Sequence, residues 1–85
     1  MSAERALPGV ALTELRPGQA AVIVAIGGTG AVRRRYMEMG LTKGEVVQVT
    51  HVAPLGDPVA YRVKGYELAL RREEAAEIRV QVTEA

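Results

Sequence analysis

GGTGAVRRRYMEMGLTKG, residues 27–44, is the one stretch of this 85-residue chain that both breaks a strand pattern and reads as a helix. Thr29 stands where an N-cap side chain accepts a backbone N–H, and Val32, Tyr36 and Met39 recur at i, i+4 and i+7 as one apolar stripe. Gly40 falls where a left-handed residue ends a helix, so Leu41 is placed to fold back toward Tyr36, and Thr42-Lys43-Gly44 turns the chain into a strand. The segment predicts a helix of about two to three turns that connects one strand to the next.

Upstream, Ala20 to Ile26 (AAVIVAI) is apolar on both faces and rich in β-branched residues, the pattern of a central strand covered on two sides. Arg16-Pro17-Gly18 before it carries a type II turn signal, and Ala11-Leu12-Thr13-Glu14-Leu15 predicts a single helical turn. Residues 1–9 read as a flexible tail, with Leu7 and Val10 as candidate core contacts, and residues 10–85 as one domain.

Downstream, Glu45 to Val52 predicts a strand with Val47 and Val49 on one face and Val46, Gln48, Thr50 and Val52 on the other. Ala53-Pro54-Leu55-Gly56-Asp57-Pro58 is a rigid loop, after which Val59, Tyr61 and Val63 alternate with Ala60, Arg62 and Lys64 in a third strand. Lys64-Gly65-Tyr66 turns into a fourth, with Leu68 and Leu70 alternating with Glu67, Ala69 and Arg71. Arg72 to Ala76 allows one helical turn, and Ile78, Val80 and Val82 face inward from a last strand. Alternating strand and helix order is absent, which excludes a parallel sheet. The inventory predicts a mainly β fold: a small SH3-like five-stranded barrel with one short helix between the first two strands, its last strand pairing with its first.

Composition narrows the function. With no cysteine there is no disulfide framework and no thiolate ligand or nucleophile. The opening SAERALPG resembles no signal peptide and no stretch reaches the roughly 18 apolar residues of a membrane span, so a cytoplasmic chain is expected. The net charge of +1 hides an asymmetry: residues 1–44 carry six basic and three acidic groups, residues 45–85 five and seven. Tyr36, Tyr61 and Tyr66 are the only aromatic residues, a thin platform for stacking bases.

No catalytic constellation stands out. His51, the sole histidine, has no hydroxyl and carboxylate spaced to make it a general base, so no enzyme activity is expected. One histidine and no cysteine leave no spacing motif for a transition metal, and neither a metal site nor a cofactor is expected. Gly27-Gly28-Thr29-Gly30 before a helix invites an anion, but it lacks the Lys-Ser/Thr of a P-loop and the third glycine of a dinucleotide fingerprint. It also fits the GxxG of a KH loop, which joins two helices, whereas here a strand precedes it. Arg33-Arg34-Arg35 sit in the first half of the helix, where cations oppose the macrodipole by roughly a few tenths of a kcal/mol each, and an Arg34 to Glu38 pair has the weaker orientation. Helix stability does not select them, and an acidic partner surface competes with a solvated face as the explanation.

The order of motifs carries a resemblance. Leu15-x-Pro17-Gly18, then Arg35-Tyr36-Met37-Glu38-Met39-Gly40-Leu41-x-x-Gly44, then Ala53-Pro54-Leu55-Gly56-Asp57-Pro58-Val59, then Gly65 with Leu68-Ala69-Leu70-Arg71-Arg72-x-Glu74-Ala75, and last Ile78-x-Val80, together resemble the FeoA family over about residues 10 to 82. That resemblance implies an SH3-like domain of bacterial ferrous iron uptake acting through FeoB, a membrane transporter whose cytoplasmic part is a GTPase. It also implies a transition-metal-binding label, which the residues themselves do not supply. Where the family usually has Leu, this chain has Tyr36, whose hydroxyl needs a partner or solvent.

The expectation is therefore a non-enzymatic accessory protein that binds and modulates a FeoB-like transporter and meets the membrane only through it. Arg33, Arg34, Met37, Leu55 and Tyr61 are the candidate contact residues, combining the polar side of the helix with the tip and exit of the proline loop. The competing expectations are a small-barrel nucleic-acid-binding protein, disfavoured by low total charge and few aromatics, and a detached regulatory domain of an iron-dependent repressor.

Overall fold

In the computed structural model, which describes residues 9–83, six strands form one antiparallel sheet: β1 (Val10–Ala11), β2 (Ala20–Ile26), β3 (Val46–Val52), β4 (Val59–Val63), β5 (Tyr66–Leu70) and β6 (Ile78–Val82). Their spatial order is β1-β6-β2-β3-β4-β5, so β6 pairs with β2 as expected and the sheet curls around a single core. Two differences from the expected barrel stand out. A sixth strand is present, because Val10 and Ala11 pair with Val80 and Arg79. Two residues show no periodicity, and only the free edge of β6 makes them a strand. In addition, β1 and β5, the ends of the order, are not hydrogen-bonded to each other among the described residues, so hydrogen bonds leave the barrel open there. Residues 1–8 of the expected tail, Leu7 included, lie outside the described residues. Gly9 is held by the Arg79 guanidinium, which donates to its carbonyl at 2.8 Å. Val10, a candidate core contact, is an exposed residue of β1.

The core takes Ala21 and Ile23 from β2, Val47 and Val49 from β3, Val59, Tyr61 and Val63 from β4, and Ile78 and Val80 from β6. Each fully buried aliphatic side chain contributes about 1.5–3 kcal/mol. Two β-bulges then change which residues face inward. In β2 the register with β6 shifts between Ile23 and Ala25, so that Ile26 lies opposite Ile78 and packs on the core. In β3 it shifts between Val49 and His51, which sets Val52 opposite Val59. Strict alternation places Val52 on the outer face. The extra residue of the bulge turns it inward, where it packs on the core.

The connections seal the sheet. Leu12, which opens the 3-10 turn Leu12–Glu14, and Leu15, which follows it, are buried, and the one-turn helix α2 (Arg72–Ala75), with Ala75 buried, packs on that turn; α1 (Gly30–Glu38) is the longer helix in chain order before it. Asp57 Oδ1 accepts the Arg72 N–H at 3.0 Å, and the Glu74 carboxylate accepts the Arg71 N–H at 2.8 Å, so side chains satisfy two amides at the start of α2. Between β4 and β5, Lys64 and Gly65 both have positive φ, as a two-residue type I′ hairpin requires.

The helix α1 ends as the sequence predicts. Gly40 has φ +95°, its N–H donates to the Met37 carbonyl at 3.0 Å, and the Leu41 N–H donates to the Tyr36 carbonyl at 3.0 Å, the two bonds of a Schellman motif. Its start differs. Thr29 occupies the N-cap position, but its side chain makes no capping hydrogen bond, and its carbonyl takes the Arg33 N–H instead. The apolar stripe is also shorter than expected. Tyr36 is buried and Met39 packs on the core, whereas Val32 is 40% exposed and lies over Gly28, because only the last turn of the helix crosses the barrel.

Candidate partner-binding surface

The arginine run divides into one structural residue and two free ones. Arg35 forms an ion pair with Glu74 of α2, and its guanidinium lies 5.7 Å from the centre of the Tyr36 ring. Arg33 and Arg34 are exposed and form no ion pair among the described residues; the Arg34 to Glu38 pair is not formed. Tyr36 is 2% exposed. Burial pushes its hydroxyl above the ordinary tyrosine range, and the nearby Glu74 and Glu77 carboxylates add to this, while Arg35 works the other way. Glu74 titrates below the usual range, chiefly because the Arg71 N–H holds its carboxylate, with Arg35 adding to the effect.

Arg33 and Met37 form one wall of a groove whose floor is Val24, Ala25 and Ile26 of β2 and whose far wall is Thr42 and Lys43. Its volume is about 270 Å³. It continues over α1 into a shallow depression bounded by Gly30, Arg34, Glu38 and Thr42. The bulge that turns Ile26 inward leaves the outer side of β2 half-covered at Val24 and Ala25, so the strand expected to be covered on both sides has one open place. Three of the five candidate contact residues, Arg33, Arg34 and Met37, therefore share one surface, with Met37 48% exposed.

The other two candidates lie elsewhere. Leu55 is 96% exposed at the tip of the β3–β4 loop, which is closed by hydrogen bonds from the Gly56 N–H to the Ala53 carbonyl (2.7 Å) and from the Ala53 N–H to the Pro58 carbonyl (3.1 Å). Tyr61 is 1% exposed in the core, because position three of an alternating strand that begins inward at Val59 also points inward. Its side chain is not available to a partner. Sequence reasoning missed Val24, Ala25, Thr42 and Lys43, since an all-apolar strand shows no bulge and Lys43 reads as turn.

The glycine loop is not shaped as an anion cradle. The Gly27 N–H is bonded to the Glu77 carbonyl at 2.7 Å, and a side chain on Gly28 would meet the Glu77 carboxylate at 2.9 Å, so an acidic group lies against the loop. His51 is exposed at the β3 bulge. Among the described residues, no three His, Asp or Glu side chains gather closely enough to hold a metal ion, so the residues present do not fit the transition-metal label. No described helix is long and apolar enough to cross a membrane.

With this geometry in view, residues 10–82 match the FeoA domain. The chain belongs to the FeoA family. Its relatives include the fused Fe(2+) transport protein A/Fe(2+) transporter FeoB of Porphyromonas gingivalis, 48% identical over 71 residues. That match covers 84% of this chain and only 8% of the fusion protein. Among solved structures, FeoA of Chlorobium tepidum superposes with a TM-score of 0.83 at 39% identity, covering 88% of this chain and 71% of that one. FeoA of Stenotrophomonas maltophilia, solved with zinc and described as a prokaryotic SH3 domain protein, superposes with a TM-score of 0.76 at 31% identity, covering 86% of this chain and 91% of that one. The SH3-like fold expected from the strand inventory is thus the family's fold.

Proposed function

We propose that this FeoA-family chain is a non-enzymatic, cytoplasmic accessory protein of ferrous iron uptake that binds a FeoB-like transporter and modulates it. The observation that carries the reading is the fusion in Porphyromonas gingivalis, where a domain 48% identical to this chain is joined to FeoB in one polypeptide. Joining two modules raises their effective concentration, which is useful only when they engage each other. The contact surface in this reading is Arg33, Arg34 and Met37 on α1, with the exposed Leu55 as a separate anchor. Tyr61 acts only by holding β4 in place.

The test is capture of the transporter from membranes by the intact chain and by a chain with Arg33 and Arg34 both changed to Glu. The first is expected to retain the transporter and the second to lose it. Deleting the chain from a cell that depends on this uptake system is expected to slow ferrous iron entry, and unchanged uptake would sink the proposal.

A further inference from the structure

We infer that the groove between α1 and the β2 bulge binds a short acidic peptide segment that inserts one aliphatic side chain. The inference rests on the reading of the α1 face as a partner surface and adds what that partner must present. The slot over β2 has a volume of about 270 Å³ and the depression it continues into about 490 Å³, and the apolar floor of the slot has room for one inserted side chain. Its floor and inner wall, Val24, Ala25, Ile26 and Met37, are apolar, and methionine adapts to the shape of what it meets. Arg33 and Lys43 stand on opposite walls, Arg34 on the continuation, and none of the three has an ion-pair partner among the described residues.

Charge complementarity selects the occupant. Two unpaired cations flanking an apolar slot match carboxylates flanking an aliphatic side chain, a pairing that steers encounter and fixes orientation. Nucleic acid fits less well. Tyr36 and Tyr61 are buried, and Tyr66 lines neither the groove nor its continuation, so bases find no stacking platform there.

The experiment uses the whole chain, isotope-labelled, titrated with a peptide of one leucine flanked by glutamates. Parallel titrations use the same peptide with lysines for glutamates, the acidic peptide with serine for leucine, and a single-stranded oligonucleotide. The acidic leucine peptide is expected to shift the amides of Val24, Met37 and Lys43, and its affinity to fall about tenfold in Arg33→Glu and in Lys43→Glu. Arg16→Glu, an equal charge change at the exposed turn before β2, is expected to leave it unchanged. Retained spectral dispersion shows that each variant folds. Shifts centred elsewhere, no binding, equal binding of the lysine or serine peptide, or preference for the oligonucleotide would each overturn the inference. Capture of the transporter without peptide binding overturns this inference and leaves the proposed function standing. Peptide binding in the groove without capture supports the inference and overturns the transporter reading.

Discussion

The Tyr66 hydroxyl donates a 2.6 Å hydrogen bond to the Met39 carbonyl, joining the first residue of β5 to the residue that closes α1. The bond satisfies one of the carbonyls that a helix end leaves without an internal partner. It also brings the phenol so close to Gly40 that a Cβ there would lie 2.6 Å from the hydroxyl oxygen.

Gly40 is thus required twice, once by its φ of +95° and once by the space that Tyr66 fills. Gly40→Ala is expected to cost about 2 kcal/mol, from the left-handed backbone and the displaced hydroxyl. Tyr66→Phe should cost about 1 kcal/mol. Because removing the hydroxyl also relieves the clash, the double variant is expected to lose less than the sum of the single ones. Urea unfolding of all four chains measures this, and strict additivity would show that the two residues are not coupled.

Glu74 gives the protein an acid-sensitive tie between α2 and α1. Its carboxyl titrates lower in the folded chain than in the unfolded one, so its stabilisation is fully present above the unfolded value, near 4.5, and is lost as pH falls through the folded value. Glu74→Gln is expected to be less stable than the parent at neutral pH by about 1 kcal/mol, with the difference shrinking below pH 4.5. Unfolding midpoints across that range check it, and a gap that widens on acidification has the wrong sign.

Leu55 and Tyr61 should separate cleanly when truncated. Leu55→Ala removes a side chain that is 96% exposed and is expected to change stability by less than about 0.5 kcal/mol. Tyr61→Ala empties a core position and is expected to cost about 3–5 kcal/mol. Thermal unfolding distinguishes them, and a costly Leu55→Ala would mean that the loop tip packs on something in this chain.

Asp57 ties the proline loop to α2. Asp57→Ala leaves the Arg72 N–H without its acceptor and is expected to cost about 1 kcal/mol, whereas Asp57→Asn, which keeps an oxygen at that position, should recover most of it. Equal losses in both variants would assign the effect to the charge rather than to the hydrogen bond.

Local pattern was enough to read most of the fold. Period-two alternation marked β3 through β6, the Pro17-Gly18 and Lys64-Gly65 pairs marked turns that the structure has, and the helix end at Gly40 followed from the conformational freedom of glycine. The motif order fixed the family. Each of these signals lies within a few residues, where side-chain sterics and backbone geometry act directly.

What tertiary structure alone decided is how those pieces meet. Val10 and Ala11 become a strand only because β6 offers them an edge, and Val52 and Ile26 turn inward only because bulges in the pairing add a residue. The arginine run at 33–35 looks uniform in sequence, yet Glu74, 39 positions from Arg35, takes one cation and leaves the other two to the surface. The groove beside them depends on the same β2 bulge. Sequence spacing sets which face a residue prefers, while pairing register and long-range charge decide which of those faces a partner can reach.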